Sequence, residues 1–214
     1  MNVSALHPPS DANLPDSRRA WVMVLVAFTV GFVIFGTMYS FGAFFAPMAA
    51  EFRASRAATS AFFSITGLIF YLAGSVAGHF GDRFGPAVMT ALGAAVMGGG
   101  LVLTGFIGQM WEGYLTYGIG VGIGAACAYM PTLAILGGWF TRQRNAALGT
   151  AAAGTGCGML VVPPLSAALI ERFGWRVTSM IVGVGCAVLL ALAAMLVGHL
   201  PRSVPFLWAA TVRE

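Results

Sequence analysis

Side chains able to hydrogen-bond a small substrate are few in this sequence, and they are hydroxyls. Thr37, Tyr39 and Ser40 form one group, and Tyr129 with Thr132 forms a second. Both groups lie inside long apolar runs that contain no Asp, Glu, Lys or Arg. Ionisable groups within such runs are where proton relays and charged clamps are found, so these runs hold neither. Hydroxyls donate hydrogen bonds to a carboxylate without bringing charge of their own, which suits an organic anion. Thr37, Tyr39, Ser40 and Tyr129 are the candidate substrate contacts.

A second constellation is the stretch Gly78–Pro86, GHFGDRFGP, which sets Asp82 and Arg83 between Gly78 and Gly85. Its glycines relieve backbone sterics, and Pro86 suits the first turn of a new helix. The stretch reads as a tight turn at one membrane face. Asp82 is expected at the start of the following helix, where it would accept backbone N–H bonds and meet the positive dipole end. It is also expected to pair with Arg142 or Arg144 across the same face. Gly78, Asp82, Arg83, Gly85, Arg142 and Arg144 are therefore candidate gating residues rather than binding ones.

The elements that must position these groups follow from composition. Of the 214 residues, 58% are hydrophobic and 8% charged, against about 25% charged in soluble domains. Mean hydropathy is +0.85. This is an integral membrane protein, and in lipid an apolar run must be helical because its backbone groups have only each other to bond. Six runs exceed the roughly 20 residues that cross about 30 Å of hydrocarbon. They are about Ala20–Ala46, Ala57–Ala77, Pro86–Ile107, Gly113–Phe140, Asn145–Ile170 and Val177–Leu200. Residues 1–17 read as a disordered cytoplasmic tail, 18–200 as a six-helix transmembrane bundle, and 201–214 as a cytoplasmic tail beginning a truncated central loop.

The runs repeat. Glu171-Arg172-Phe173-Gly174 echoes Asp82-Arg83-Phe84-Gly85 at an offset of 89 residues, where Arg53 also falls on Arg142, Thr66 on Thr155 and Gly67 on Gly156. The unit holds three spans, an odd number, so its second copy must be inverted, which is a transporter architecture. The fold expected is all-α, with six transmembrane helices as an inverted 3+3 repeat. At the same offset Ser40 falls on Tyr129, which would relate them by the pseudo-twofold axis. Arg18-Arg19 flank the first span, so both termini are expected in the cytoplasm by the positive-inside rule.

All the basic residues are arginines, scattered through the loops, and no basic stripe for nucleic acid is present. Cys127, Cys157 and Cys186 lie in apolar runs without CxxC spacing, so neither a disulfide nor a metal site is suggested. No cofactor is implied. No paired acids or nucleophile–base set occurs in the spans, which disfavours an intramembrane enzyme.

The Gly78–Gly85 loop, followed by WRxT opening the sixth span, resembles the major facilitator superfamily. YSFGAFF at Tyr39–Phe45, EFRASRAATS at Glu51–Ser60, WFTRQRNAALGTAAAG at Trp139–Gly154 and ERFGWR at Glu171–Arg176 make the chain most similar to the monocarboxylate transporters and their bacterial oxalate/formate relatives. Where the superfamily's loop signature carries basic residues, Pro86 and Ala87 stand here. The resemblance implies twelve helices in two halves that rock about a central site, of which this chain corresponds to the N-terminal half. It further implies a proton-coupling lysine just before the Ser-Phe of the first helix, where this chain has Tyr39, and a substrate-holding arginine from the second half.

The function expected is transport of a small, monocarboxylate-like organic anion, in a bacterial inner membrane. The lipid bilayer, the anion and a second six-helix half or a second copy are the expected partners. The alternative is a truncated or accessory membrane protein without transport activity of its own.

Overall fold

The computed structural model describes residues 18–136, 140 and 142–199. The tails expected at 1–17 and 201–214 lie outside them. Every regular element among the described residues is a helix: α1 (Arg18–Tyr39), α2 (Phe41–Glu51), α3 (Arg56–Phe84), α4 (Pro86–Thr104), the single turn α5 (Met110–Gly113), a π segment (Tyr114–Val121), α6 (Gly122–Leu136) and α7 (Arg144–Gly198). Five stretches are long and apolar enough to cross a membrane: Ala20–Glu51, Arg56–Phe84, Pro86–Thr104, Met110–Leu136 and Arg144–Gly198.

Local chemistry explains the ends. Ser55 caps α3 by accepting from the Ala58 N–H at 3.2 Å. Pro86 opens α4 at its first turn, where its missing N–H costs nothing. Gln109 and Glu112 form a reciprocal capping box at α5. α1 and α2 run on through Ser40, whose φ of −65° and ψ of −14° stay helical.

Between Gly78 and Phe84 the chain is helical, and the expected turn shrinks to Gly85, with φ 87° and ψ 155°. Isolated glycines at 78 and 81 weaken a helix without ending it. Asp82 therefore sits in the last turn of α3, not at the start of α4. It faces the negative end of a helix dipole, so the capping role expected of it is not met.

The 55 residues of α7 would span about 80 Å if straight. They break at Gly174, with φ 77° and ψ 161°. Arm 144–173 lies alongside α1 in the same direction, Gly154 on Phe28 and Gly158 on Phe32. Arm 175–198 runs against α4, Gly105 on Met180 and Gly98 on Ala187. Both the continuous stretch α1–α2 and α4 run opposite to the rod Met110–Leu136: Phe35 meets Tyr129 and Phe41 meets Tyr117, while Gly93 meets Ala128 and Gly100 meets Gly120. The two arms therefore point in opposite directions, with Gly174 at the apex of a hairpin.

One end of the bundle gathers Glu51, Gly105, Ile107 and Arg176. The other gathers Gly81 with Pro131, Trp21 with Phe140 and Ala87 with Gly198. These are called below the Glu51 end and the Asp82 end. Inside, Val30, Ile34, Phe62, Met97, Leu101, Val121 and Leu190 are sealed from the surface.

Ser166 is the exception in this interior. Its Oγ is buried with no hydrogen-bond partner among the described residues. A buried unsatisfied hydroxyl costs about 1–3 kcal/mol. Ser166→Ala is therefore expected to leave thermal stability in detergent unchanged or raise it, and a clear fall in Tm would reveal a partner.

Candidate functional site

The four expected substrate contacts separate into two pairs. Thr37 is buried, its Oγ1 3.1 Å from Cys186 Sγ, and its carbonyl accepts the Tyr117 hydroxyl at 3.5 Å. Ser40 is fully buried and donates to the Gly36 carbonyl at 2.7 Å. Both hydroxyls are used within the bundle. Tyr39 is 49% exposed and meets Phe63 edge-on at 5.8 Å. Tyr129 is partly buried between Phe35 at 5.1 Å and Phe70 at 6.1 Å.

Phe70 also holds Tyr71, at 5.3 Å, and Tyr71 is 71% exposed. The sequence reading passed over this residue. On α3 it belongs to a stripe of exposed Ser60, Ser64, Tyr71 and Ser75, spaced four, seven and four residues and so on one helix face. The Ser60 and Ser64 hydroxyls donate back to the Arg56 and Ser60 carbonyls, which makes them cheap to keep beside lipid. Leu68, Leu72 and Val76 form the adjoining apolar exposed face, and Thr59, Phe62, Thr66, Phe70, Gly74, Ala77 and Gly81 the buried one. The stripe was legible as a polar period of about 3.6 in an otherwise apolar run.

The chain has five tyrosines. Tyr114 donates to the Ala58 carbonyl at 2.9 Å and Tyr117 to that of Thr37. The hydroxyls of Tyr39, Tyr71 and Tyr129 have no partner among the described residues. Tyr71 and Tyr129 both pack on the buried Phe70 ring and Tyr39 on Phe63, so the three phenols offer O–H donors and no charge.

The candidate gating residues are spread over the end of α3 and the start of α7. Asp82 and Arg83 are exposed, and the Arg83 guanidinium lies 5.5 Å from the Phe84 ring centre. Arg142 precedes α7 and Arg144 opens it, both exposed. Among the described residues the one salt bridge is Arg176–Glu51, at the other end of the bundle. Gly78 has open space about it, and Gly85 supplies the break between α3 and α4.

Charge is organised at the other end. Arg176 donates to Glu51 Oε1 from Nη2 at 2.7 Å and from Nε at 3.1 Å, and from Nη1 to the carbonyls of Ile107 at 2.7 Å and Gly105 at 3.1 Å. The Trp175 indole N–H donates to Glu51 Oε2, and the guanidinium stands 4.6 Å from the Trp175 ring centre. Glu51 and Arg176 are 125 residues apart, and nothing local in either neighbourhood announces the pairing.

A sequence profile described as the Major Facilitator Superfamily matches residues 27–211. The chain is 31% identical over 185 residues to monocarboxylate transporter 13 of Bos taurus, covering 86% of this chain and 43% of that protein. It is 32% identical over 169 residues to monocarboxylate transporter 3 of Mus musculus, covering 79% and 34%. With monocarboxylate transporter 6 of Homo sapiens it shares 31% over 175 residues, covering 82% and 35%. The chain thus spans between a third and under half of the length of these relatives. With a family match over most of its residues and helices long and apolar enough to cross a membrane repeatedly, this integral, multi-pass membrane protein belongs to the Major Facilitator Superfamily.

Proposed function

We propose that this bundle is one of two six-helix bodies of a secondary transporter that moves a small monocarboxylate-like anion. The observation that carries the reading is the set of three phenol hydroxyls, at Tyr39, Tyr71 and Tyr129, without a hydrogen-bond partner among the described residues. A hydrogen bond to a charged group is worth about 1.5–3 kcal/mol. Taking a carboxylate out of water costs several kcal/mol even after relaxation. Three phenols come close to offsetting that cost and leave little over. The cation that completes the site comes from a second bundle facing this one, and alternating access is the rocking of the two bodies around it.

The arms on either side of Gly174 count as two crossings, which makes six in all as an inverted 3+3 repeat. Gly85 and Gly174, 89 residues apart, share one unusual backbone conformation. Gly118 sits on Ile65 and Gly122 on Ile69, as Gly154 sits on Phe28 and Gly158 on Phe32. Gly98 touches Ala187, its mate at that same offset, where an axis relating the triplets would pass. In this packing register Phe28 corresponds to Gly118, an offset of 90 rather than 89. The π segment explains the extra residue, because i→i+5 bonding takes in one more per turn. Tyr39, rather than Ser40, is then the mate of Tyr129.

The described chain begins and ends at the Asp82 end, and both termini are cytoplasmic in this reading. Reporter fusions at Met1 and Glu214 should both give cytoplasmic signals, and a periplasmic or extracellular signal from either removes the six-crossing arrangement. The relatives matched are eukaryotic, so they lend nothing to the bacterial inner membrane expected from sequence.

Transport is tested with labelled lactate, oxalate and formate in liposomes, with and without a pH gradient. The chain alone should give no saturable uptake. Together with the second half of a monocarboxylate transporter it should, and Tyr39→Phe with Tyr129→Phe should weaken apparent affinity by at least tenfold, as loss of a bond to charge implies. Saturable uptake by the chain alone would overturn the two-body reading. Absence of uptake by the pair would overturn the substrate.

A further inference from the structure

We propose that the groove between the end of α4 and the start of the rod Met110–Leu136 binds a phospholipid with an ammonium headgroup, of the phosphatidylethanolamine type. The ammonium sits at Glu112 and Trp111, a glycerol ester at Thr116, and one acyl chain between Leu103, Phe106 and Leu115. None of these residues belongs to the phenol set, and the site goes beyond the transport reading.

The groove arises from how α4 meets the rod. At Gly100 the two helices touch, the Thr116 carbonyl oxygen lying 2.6 Å from where a Cβ would stand. Toward the Glu51 end larger side chains take over, Leu103 and Phe106 from one side and Trp111 and Leu115 from the other. They leave about 370 Å³ between them. All four are exposed, so the groove opens on the outer surface of the bundle, where acyl chains lie. In lipid a chain held there gains by close packing rather than by leaving water.

The polar groups at its mouth are fixed in place by the protein itself. Glu112 Oε2 accepts the N–H groups of Gly108 at 2.7 Å and Gln109 at 3.1 Å. Its other oxygen, Oε1, has no partner among the described residues. Gln109 Oε1 accepts the Trp111 indole N–H at 2.7 Å, which holds the ring beside the carboxylate. Glutamine at position 112 would complete the capping box equally well, so what the carboxylate adds is charge. Arg176 does not match that charge, being engaged with Glu51 and the carbonyls of Gly105 and Ile107. A carboxylate beside an aromatic ring draws an ammonium by charge-assisted hydrogen bonding and by cation–π attraction. An anionic headgroup is repelled by the same carboxylate. Thr116 stands one turn deeper on the rod and accepts from the Thr104 hydroxyl at 3.0 Å. Its own O–H has no acceptor among the described residues, and the ester carbonyls of a phospholipid lie at about that depth below the ammonium.

Photo-crosslinking of the full chain in lipid nanodiscs tests this. The probe is phosphatidylethanolamine with a diazirine on one acyl chain, at trace level in phosphatidylglycerol. Peptide mapping should find residues 103–116 labelled about tenfold more than the exposed apolar face at 188–196, as a bond to charge implies. Unlabelled phosphatidylethanolamine should compete for 103–116, and phosphatidylglycerol carrying the same diazirine should label both stretches alike. Glu112→Gln keeps the capping box and should bring the two stretches level. Trp111→Leu keeps apolar bulk without the indole, and should lower the preference roughly threefold. Equal labelling of the two stretches in the wild type would overturn the proposal. So would a preference that survives Glu112→Gln, or one that phosphatidylglycerol shows equally. No uptake is measured, so this site and the transport reading stand or fall separately.

Discussion

Gly158→Val should prevent the bundle from assembling, whereas Gly156→Val, two residues away, should be silent or slightly stabilising. At position 158 an added Cβ would meet the carbonyl oxygen of Phe32, with the Cα at 2.8 Å and the carbonyl carbon at 2.9 Å. These are backbone atoms of α1 and cannot rotate aside, so the two helices would have to part. Gly154 meets Phe28 one turn earlier in the same way, so separation at one site strips contacts from the other. Overpacking a well-filled site costs typically about 1–3 kcal/mol, and a clash with backbone along a whole crossing lies at or above that range. In lipid the crossing has little hydrophobic drive to compensate, because close packing is itself what associates helices there. Gly156 has nothing within 4 Å of the added atom, and valine is a better helix residue than glycine. Thermal unfolding and size-exclusion profiles in detergent decide the matter. Equal behaviour of the two variants would mean that α1 and arm 144–173 do not cross as described.

Gly174→Ala and Gly85→Ala should each destabilise the protein by about 1–3 kcal/mol, the cost of holding a residue with a side chain in a nearly glycine-only backbone region. The angles are φ 77° and ψ 161° at Gly174 and φ 87° and ψ 155° at Gly85. Asparagine tolerates the left-handed helical region, but there ψ is near +47°, so Gly174→Asn should rescue nothing. The space around Gly174 is open, so the loss would come from backbone strain alone. Gly78→Ala is the control: also open, but inside α3 with ordinary helical geometry. A Gly174→Ala protein as stable as the wild type would mean that 144–198 does not double back there.

Membrane residence, helical class and most helix limits were legible in the sequence, because lipid leaves an apolar run no other way to satisfy its backbone. So were the two apices, from the paired acidic-Arg-Phe-Gly motif. What the sequence could not rank were chemically equal residues. Gly156 and Gly158 are alike on paper, as are Ser40 and Tyr39 as hydroxyl donors, yet one of each pair faces inward and the other outward. In a soluble helix the apolar period marks the buried side. In a membrane helix the core and lipid faces are equally apolar, so that signal is nearly silent, and only packing against other helices separates them. Thr37 and Ser40 were spent inside the bundle, and Tyr71 was brought out beside Phe70 by the rotation of α3. The join of Glu51 to Arg176 was likewise a tertiary decision. Two half-exposed charges 125 residues apart meet because three helix ends converge on one spot, and no local pattern encodes that meeting.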